Sequence, residues 1–383
     1  MRILIVSLPD LRRIYPQRYH HLIKHLSQKH EIQVLCVKAW WMPEINDDYL
    51  KNCLENVEIL YPSNRRINSL VQDMLLAPKF AFDTSMEKEF DVLINFNDLI
   101  GAFFIQRRLR SPMVFDICDD VPQYVANSPQ LPRFLRTLNQ KLAKSMLKKN
   151  IKVSSRITYT TEPLRKTYAL EANKSTLIPN GVDLELFRSP KQLHNKGPLT
   201  ENGCTVGFVG YLASWIDFAS PLQCLKNLLD KGYDITFMIV GDGPELARIR
   251  EMTIRLGISG SVVLTGSVRH ANVPVCISRM DICLLPFKKD PTAENALPLK
   301  LFEYMACEKP VISTQLEGVK DAVGSRILYA SDVASFGRHI ETLCADEKLR
   351  ARLGREGRSF VEQNYSWSTI AKRFESIVYA ASQ

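Results

Sequence analysis

The sequence predicts an α/β protein with two doubly wound, Rossmann-like domains that face an interdomain cleft. Three observations carry this prediction. Strand–helix–strand patterns form two separate series, one starting at residue 2 and one at residue 204. Between them, residues 189–203 are polar and rich in Pro, Gly and Asn, which is typical of a linker. The length of 383 residues also suits two domains.

The first series opens on Arg2–Ser7, a continuous apolar run of the kind that forms a strand buried on both faces of a parallel sheet. A helix predicted over 17–28 and a strand over 32–37 complete a βαβ unit. Further strands are predicted at 92–96, 113–116, 156–160 and from 174 to a turn that ends at 183. We therefore place an N-terminal domain at residues 1–188.

The second series opens on the strand 204–210. Further strands are predicted at 235–240, 261–264, 282–286 and 310–314. Helices are predicted near 244–256, 298–306, 334–346 and 349–364. We place the C-terminal domain at 204–365 and a closing helix within 366–383.

Composition excludes several classes of protein. With 45% hydrophobic and 24% charged residues, the chain is neither disordered nor fibrous. Its apolar runs are too short for a membrane-spanning helix, and its N-terminus does not have the pattern of a secretory signal. Nine cysteines without a Cys-x-x-Cys pair favour reduced thiols in a cytoplasmic protein. The seven histidines lack metal-ligand spacing, so no metal site is expected.

A basic stretch stands out in the N-terminal domain. Residues 121–161 contain eight Lys and Arg residues and no Asp or Glu. Within them, 132–152 has apolar residues at helical spacing with basic residues between. Such a helix fits docking on an anionic membrane surface, but the pattern equally suits an ordinary half-buried helix. We do not expect a nucleic-acid partner, since no recognition motif accompanies the charge.

The segment from Pro298 has the features of a phosphate-binding helix. Proline suits the first turn of a helix, and Lys300 and Glu303 share one face of that turn. A helix N-terminus beside a lysine suits a diphosphate, and a glutamate one turn later can accept hydrogen bonds from ribose hydroxyls. The alternative is an exposed surface ion pair with no function.

Several glycines directly follow strands of the second series, among them Gly210, Gly241 and Gly243. There, the missing side chain lets backbone N–H groups approach a phosphate or a sugar. The alternative is a tight strand-to-helix turn. Gly241 and Gly243 do not make a dinucleotide fingerprint, because the third glycine is absent.

In the N-terminal domain, the predicted strand 113–116 is followed closely by Asp119 and Asp120. Carboxylates at the end of a strand point toward the predicted cleft, where one of them can act as general base on an acceptor hydroxyl. Helix capping is the alternative role.

Taken in order, six segments resemble the GT-B glycosyltransferases, specifically glycosyltransferase family 4 (glycosyl transferases group 1). They are the turn 178–183, the glycine loop 207–211, the turns 239–244 and 264–268, the strand 281–287 and the helix region 298–312. The resemblance implies transfer of a sugar from a nucleoside-diphosphate sugar, UDP- or GDP-linked, to a hydroxyl of a glycan or lipid-linked acceptor. It implies a role in cell-surface polysaccharide or glycoconjugate synthesis, and no metal or other cofactor.

The resemblance also implies which residues form the site. The acceptor would bind the N-terminal domain, and the closing helix would pack back onto that domain. The donor-binding residues would be Gly210, Tyr211, Gly241, Gly266, Val268, Asn295, Leu299, Lys300 and Glu303.

The chain departs from the family pattern at three positions. Asn295 stands where the family has the first of two glutamates, Tyr211 stands where a diphosphate-binding cation is common, and Glu308 stands where glycine is usual. These departures keep open a non-catalytic nucleotide-binding protein on the same scaffold, and a nucleotide-sugar epimerase is a further alternative. For the enzyme we expect a cytoplasmic location, with peripheral binding at the inner membrane face if 132–152 docks there.

Overall fold

The computed structural model describes residues 1–63, 65–67, 72–77, 79, 89–127, 133–188 and 203–383. It divides into two compact units. The first comprises residues 1–179 and 367–383, and the second comprises residues 180–366. The predicted boundary at 188 therefore differs from this division, because residues 180–188 group with the second unit. Apart from Gly203, the predicted linker 189–203 lies outside the described residues.

The first unit is built on a seven-stranded parallel sheet of order β3-β2-β1-β4-β5-β6-β7. Its strands are β1 (Arg2–Ser7), β2 (Glu31–Cys36), β3 (Val57–Leu60), β4 (Val92–Phe96), β5 (Met113–Ile117), β6 (Arg156–Tyr159) and β7 (Ser175–Leu177). The central strands β4 and β5 are buried at every position, which explains why they read as unbroken apolar runs. Chain order reverses between β1 and β4, so a crevice for ligands is expected at their carboxyl ends.

Helices surround this sheet. They are α1 (Arg18–Leu26), α2 (Asp48–Cys53), α3 (Gly101–Leu109), α4 (Val121–Asn127), α5 (Arg133–Val153) and α6 (Glu162–Thr167), together with a π-helical turn over Gln72–Leu76. The predicted basic helix of 132–152 is thus α5, and Pro132 lies outside the described residues.

The second unit repeats the same plan with a six-stranded parallel sheet of order β10-β9-β8-β11-β12-β13. Its strands are β8 (Cys204–Val209), β9 (Ile235–Val240), β10 (Val262–Gly266), β11 (Ile282–Leu285), β12 (Val311–Thr314) and β13 (Leu328–Ala330). Its helices are α7 (Ala219–Asp230), α8 (Leu246–Arg255), α9 (Val273–Ser278), α10 (Pro291–Glu294), α11 (Leu299–Ala306), α12 (Glu317–Val323), α13 (Val333–Ala345) and α14 (Glu347–Asn364), with short 3₁₀ turns at 259–261, 270–272 and 324–326.

The closing helix α15 (Trp367–Ser382) belongs to the first unit, where it packs on α1. The Trp367 ring stacks on His21, with centroids 4.6 Å apart. Glu375 is buried, and its carboxylate oxygens lie 3.0 Å from Lys29 Nζ and 3.1 Å from His30 Nε2. Ile370, Phe374 and Val378 are also buried, so an apolar stripe and one charge cluster hold the end of the chain on the first sheet.

Across the described parts of the chain, every helix is too short or too polar to cross a lipid bilayer.

Candidate active site

Three glycines meet at the carboxyl ends of neighbouring strands in the second unit. Gly210 follows β8, Gly241 follows β9 and Gly266 ends β10. The Gly210 amide donates to Val240 O at 2.9 Å, and the Gly241 amide donates to Gly266 O at 2.9 Å. At Gly241, φ is 138° and a Cβ would lie 2.0 Å from Gly210 O. Only glycine fits there, so this edge is a surface of bare backbone, which we call the glycine ledge.

Lys300 lies directly against the glycine ledge. Its Nζ sits 4.3 Å from the centroid of the Phe208 ring, and a Cβ on Gly210 would lie 2.3 Å from that Nζ. Burial lowers the pKa of Lys300 to about 8, and nearby Glu303 opposes this effect. A partly desolvated ammonium group beside exposed backbone is suited to bind a diphosphate. The phosphate oxygens can accept the hydrogen bonds that the ammonium group no longer makes to water.

Glu303 is half-buried, as Lys300 is. Burial raises the pKa of Glu303 to about 7, and Lys300 counteracts the rise. The two residues therefore do not form the exposed surface pair of the alternative interpretation. Two groups with opposite pKa shifts in one helical turn are typical of a functional site.

Helix α11 is held in place by Tyr304. This fully buried residue accepts a hydrogen bond at its hydroxyl from Val209 N at 2.8 Å, at the end of β8. The helix begins at Leu299, and its N-cap Pro298 has no side-chain capping bond. Pro298 thus provides no side-chain cap for the first N–H groups of α11, the helix that also carries Lys300.

The residues near position 295 have different tasks. Glu294 accepts a hydrogen bond from Glu317 N at 2.8 Å and lies 3.5 Å from Lys289 Nζ. It is therefore engaged at the start of α12, while Asn295 is buried in the register where the family has glutamate. Contact between Asn295 and the donor sugar stays a prediction.

The other two departures have visible consequences. Glu308 adopts φ 57°, a left-handed conformation that explains why glycine is usual at this position. Tyr211 is 61% exposed and places no cation beside Gly210. Lys300 is consequently the cation that the structure places at the ledge. Val268 is half-buried against the core, two residues after Gly266.

In the first unit, the corresponding edge carries a closed ion pair. Arg18 binds the carboxylate of Asp116 through Nε and Nη2, both at 2.8 Å, and donates to Pro179 O from Nη1. Thr158 also donates to Asp116. Both charged residues are buried, so the pair is satisfied and acts as a structural element.

The two predicted catalytic carboxylates have separate environments. Asp120 accepts from Gln123 N at 3.1 Å, and the Tyr168 hydroxyl also donates to it, so Asp120 caps α4. Asp119 is half-buried, and within the described residues its side chain accepts one weak bond, from Cys118 Sγ at 3.4 Å. Burial raises the pKa of Asp119, and the carboxylate of Asp116 adds to the rise. Asp120 is thus a helix cap, and Asp119 is the better candidate for a general base.

Sequence reasoning missed the polar cluster beside Asp119. Cys118 Sγ lies 3.0 Å from the Tyr19 hydroxyl and 3.1 Å from Asn97 Nδ2. Asn97 follows β4 with φ 56°, a conformation that asparagine tolerates better than most residues. An asparagine directly after a buried strand was the signal available in the sequence. Within the described residues, no three His, Cys, Asp or Glu side chains are grouped as metal ligands would be.

Part of the chain matches a known family. A family model described as Glycosyl transferases group 1 matches residues 190–360, which fall mostly in the second unit. The chain is similar to this family over those residues. The match covers the ledge, Asn295 and the helix that carries Lys300 and Glu303.

This chain matches only part of the length of its curated relatives. The putative teichuronic acid biosynthesis glycosyltransferase TuaH of Bacillus subtilis is 26% identical over 62% of this chain and 60% of that protein. The 2-deoxystreptamine glucosyltransferase of Streptomyces kanamyceticus is 28% identical over 47% of this chain and 48% of that protein. The chain thus matches 60% of the length of the first of these relatives and 48% of the second.

Solved structures share the fold over the whole chain. HepE of Anabaena, in complex with UDP and glucose, has a TM-score of 0.74 at 18% identity, covering 98% of this chain and 99% of that one. TarM of S. aureus has a TM-score of 0.72 at 9% identity, covering 98% of both chains. The predicted GT-B fold is confirmed.

Proposed function

We propose that this glycosyltransferase moves a sugar from a nucleoside-diphosphate sugar to a hydroxyl of a glycan or lipid-linked acceptor in cell-surface polysaccharide or glycoconjugate synthesis. The observation that carries the proposal is Lys300, whose ammonium lies against the bare backbone of Gly210. The similarity to TuaH, named for teichuronic acid synthesis, supports the cell-surface role. The UDP in the HepE complex supports a UDP-linked donor ahead of a GDP-linked one.

Each donor-binding residue has a task in this proposal. Lys300 and the first N–H groups of α11, at Leu299, bind the diphosphate and stabilise it as it leaves. Glu303 accepts hydrogen bonds from the ribose, and Asn295 binds the sugar. The base lies against the turn that contains Gly266 and Val268, with Tyr211 and Gly241 at the other side of the phosphates. The proposal requires no metal ion, because lysine and helix terminus supply the positive charge.

The donor site is tested by nucleotide binding. Calorimetric titration with UDP, GDP, ADP, CMP and dTDP is compared for wild type, Lys300→Ala, Glu303→Ala and the control Lys226→Ala, whose lysine pairs with Asp230 on the surface of α7. We expect one nucleotide to bind, and both site variants to weaken binding by about 1–3 kcal/mol because each loses a bond with a charged group. The control should bind as wild type does.

Two outcomes contradict this site assignment. One is that none of the five nucleotides binds, and the other is that binding ignores both substitutions. Nucleotide binding without any turnover would instead support the non-catalytic scaffold. A product formed from the nucleotide sugar without an acceptor would identify an epimerase.

Asp119 is proposed as the general base that deprotonates the acceptor hydroxyl. Its carboxylate is half-buried, with a raised pKa and a single weak sulfur donor. Asp119→Asn should lower kcat by about 10²–10⁴-fold with little change in donor affinity. Asp120→Asn is the matched control, because asparagine caps a helix as well as aspartate does, so its kcat should stay near wild type. Equal effects of the two variants, or none, would show that another group accepts the proton.

Helix α5 is proposed to dock the enzyme on an anionic membrane surface. One face of the helix is buried in the unit, through Ala143, Met146 and Leu147. The rest of the helix exposes Leu138 and Leu142, which are 63% and 44% exposed. Its exposed lysines are Lys141, Lys144, Lys148, Lys149 and Lys152. Exposed leucines among lysines favour contact with lipid, since each lysine near an anionic surface contributes about 1 kcal/mol.

Vesicle sedimentation tests this docking. Wild type should sediment with phosphatidylglycerol–phosphatidylcholine vesicles and much less with phosphatidylcholine alone. A Lys141→Glu, Lys148→Glu double variant should lose this preference, whereas Lys226→Glu in α7 should keep it. If wild type ignores both vesicle types, α5 is an ordinary half-buried helix, and the peripheral location at the inner membrane face is wrong.

A further inference from the structure

A cavity of about 370 Å³ lies at the carboxyl ends of β11, β12 and β13. Phe287, Thr314 and Ala330, which end or follow these strands, form one side, and Asp217 and Ser220 at the start of α7 form another. Its volume is within the usual range of ligand sites, and carboxyl ends of parallel strands are where such folds bind ligands. None of the proposed donor-binding residues lines it. It is therefore separate from the glycine ledge.

The charged residues of this cavity are already engaged. Asp217 accepts from Ala219 N at 3.0 Å and Asp332 accepts from Ser335 N at 2.7 Å, so both cap helices. Lys288 Nζ donates to Ser214 O, and Lys289 Nζ lies 3.5 Å from Glu294. A phosphate or another strong ion would have to compete with these partners. The cavity thus favours a neutral ligand.

Neutral polar groups of the lining remain available. The Gln315 amide and the Ser331 hydroxyl have no hydrogen-bond partner among the described residues, and both residues are exposed. An amide supplies two donors and two acceptor sites, and a hydroxyl supplies both kinds of bond. This set matches a ligand that is itself rich in hydroxyl groups.

Two exposed aromatic residues lie on the segment between β8 and α7 that leads to Asp217 and Ser220 of the cavity lining. Tyr211 is 61% exposed and Trp215 is 44% exposed, with ring centroids 6.3 Å apart. Their backbone is fixed, because Lys288 N donates to Trp215 O at 2.9 Å and Leu212 N donates to Asp242 O at 2.9 Å. Exposed aromatic rings on a rigid segment are typical of recognition surfaces, and the C–H faces of a pyranose pack on such rings.

We propose that this cavity, together with Trp215, is a second saccharide subsite that binds a pyranosyl residue of the acceptor glycan. The proposal rests on the proposed function and specifies its acceptor as a saccharide, one residue of which is held away from the reacting hydroxyl. The Trp215 ring contacts the apolar face of the sugar. Gln315 and Ser331 bind its hydroxyl groups.

The test uses the full chain and four probes, the methyl pyranosides of glucose, galactose, mannose and N-acetylglucosamine. Saturation-transfer NMR is recorded with and without saturating UDP, on wild type, Trp215→Ala, Gln315→Ala and Trp41→Ala. The control Trp41 is 65% exposed and lies in the first unit. We expect at least one pyranoside to bind, UDP not to displace it, and affinity to fall at least tenfold in Trp215→Ala and Gln315→Ala alone.

Three results overturn the subsite. They are that no pyranoside binds, that binding survives both substitutions, or that UDP displaces the pyranoside, which would place the sugar in the donor site. UDP binding is recorded in the same samples, so the two proposals fail separately. If UDP binds and no pyranoside does, the donor site stands without the subsite. If a pyranoside binds as expected and no nucleotide does, the subsite stands and the donor proposal fails.

Discussion

The two units share one sheet topology but present opposite kinds of surface at its carboxyl edge. In the second unit the edge is backbone, with Gly210, Gly241 and Gly266 in contact and a single lysine above them. In the first unit the same edge is filled by side chains, with Arg18 and Asp116 paired bidentately and fully buried.

The two edges show how one fold can serve either binding or support. The glycine ledge lets a ligand approach the backbone closely, beside a poorly solvated cation that suits an anion. A buried ion pair makes its hydrogen bonds within the protein, so its role is structural. Near this pair, the Asp119 carboxylate accepts one weak bond from the part of the chain that the structure describes. Substitutions at this edge of the first unit are thus expected to lower the stability of the protein. Substitutions at the same edge of the second unit are expected to weaken ligand binding.

The largest expected effect is on stability in the first unit. Asp116→Ala should lower the free energy of unfolding by about 3–5 kcal/mol, because it leaves the Arg18 guanidinium buried without its partner. Denaturant unfolding followed by circular dichroism measures the change. The double variant Arg18→Met, Asp116→Leu should recover much of the loss, since it removes both charges. A cost below about 1 kcal/mol for Asp116→Ala would mean that the pair is not structural.

The next effect distinguishes two glycines of the second unit. Gly241→Ala should cost about 2–3 kcal/mol of stability and weaken UDP binding more than tenfold, because its Cβ would lie 2.0 Å from Gly210 O at φ 138°. Gly232→Ala is the control, with φ 86° and no atom within 4 Å of the added Cβ, and should cost about 1 kcal/mol without affecting UDP. Thermal unfolding and calorimetry give both quantities. Equal UDP affinity in the two variants would place the phosphates away from the ledge.

The smallest effect is the pH dependence of UDP affinity. Lys300 has a pKa of about 8 and must be charged to bind a diphosphate, so this lysine adds little pH dependence to UDP affinity well below pH 8. Above pH 8 the charged fraction of free enzyme falls with pH, and UDP affinity should drop about tenfold per pH unit. Phosphate groups with pKa values near 6 are already ionised in this range. Calorimetry from pH 7 to 9.5 measures the curve, and Lys300→Ala should flatten it. If the UDP affinity of wild type does not change over this pH range, Lys300 does not bind the phosphates.

Much of the fold was predictable from local patterns. Central strands such as β1 and β8 form apolar runs because both of their faces are buried. Their predicted ends agree with the observed ends to within one residue. The edge strands β3 and β13 were missed. Val57–Leu60 contains no fully buried residue, and Leu328–Ala330 has three residues only, so neither produces a clear periodic signal.

The candidate site was predictable in part for the same reason. Glycines after strands and a lysine in the first turn of a helix are local features, and the order of six motifs pointed to the family. Contacts between distant residues were not predictable. Arg18 and Asp116 are 98 positions apart, and nothing in the sequence near either one indicates the other.

Local sequence was enough to predict the two βαβ series, the family resemblance and the candidate donor-binding residues, because burial period, turn chemistry and motif order are features of neighbouring positions. The structure was needed to find that Lys300 lies against Gly210, that Asp120 caps a helix while Asp119 does not, and that Trp215 and Tyr211 stay exposed. These contacts depend on which side chains the packed strands and helices bring within a few ångströms of one another. Desolvation and hydrogen bonding act at that distance, whatever the separation of the residues along the chain.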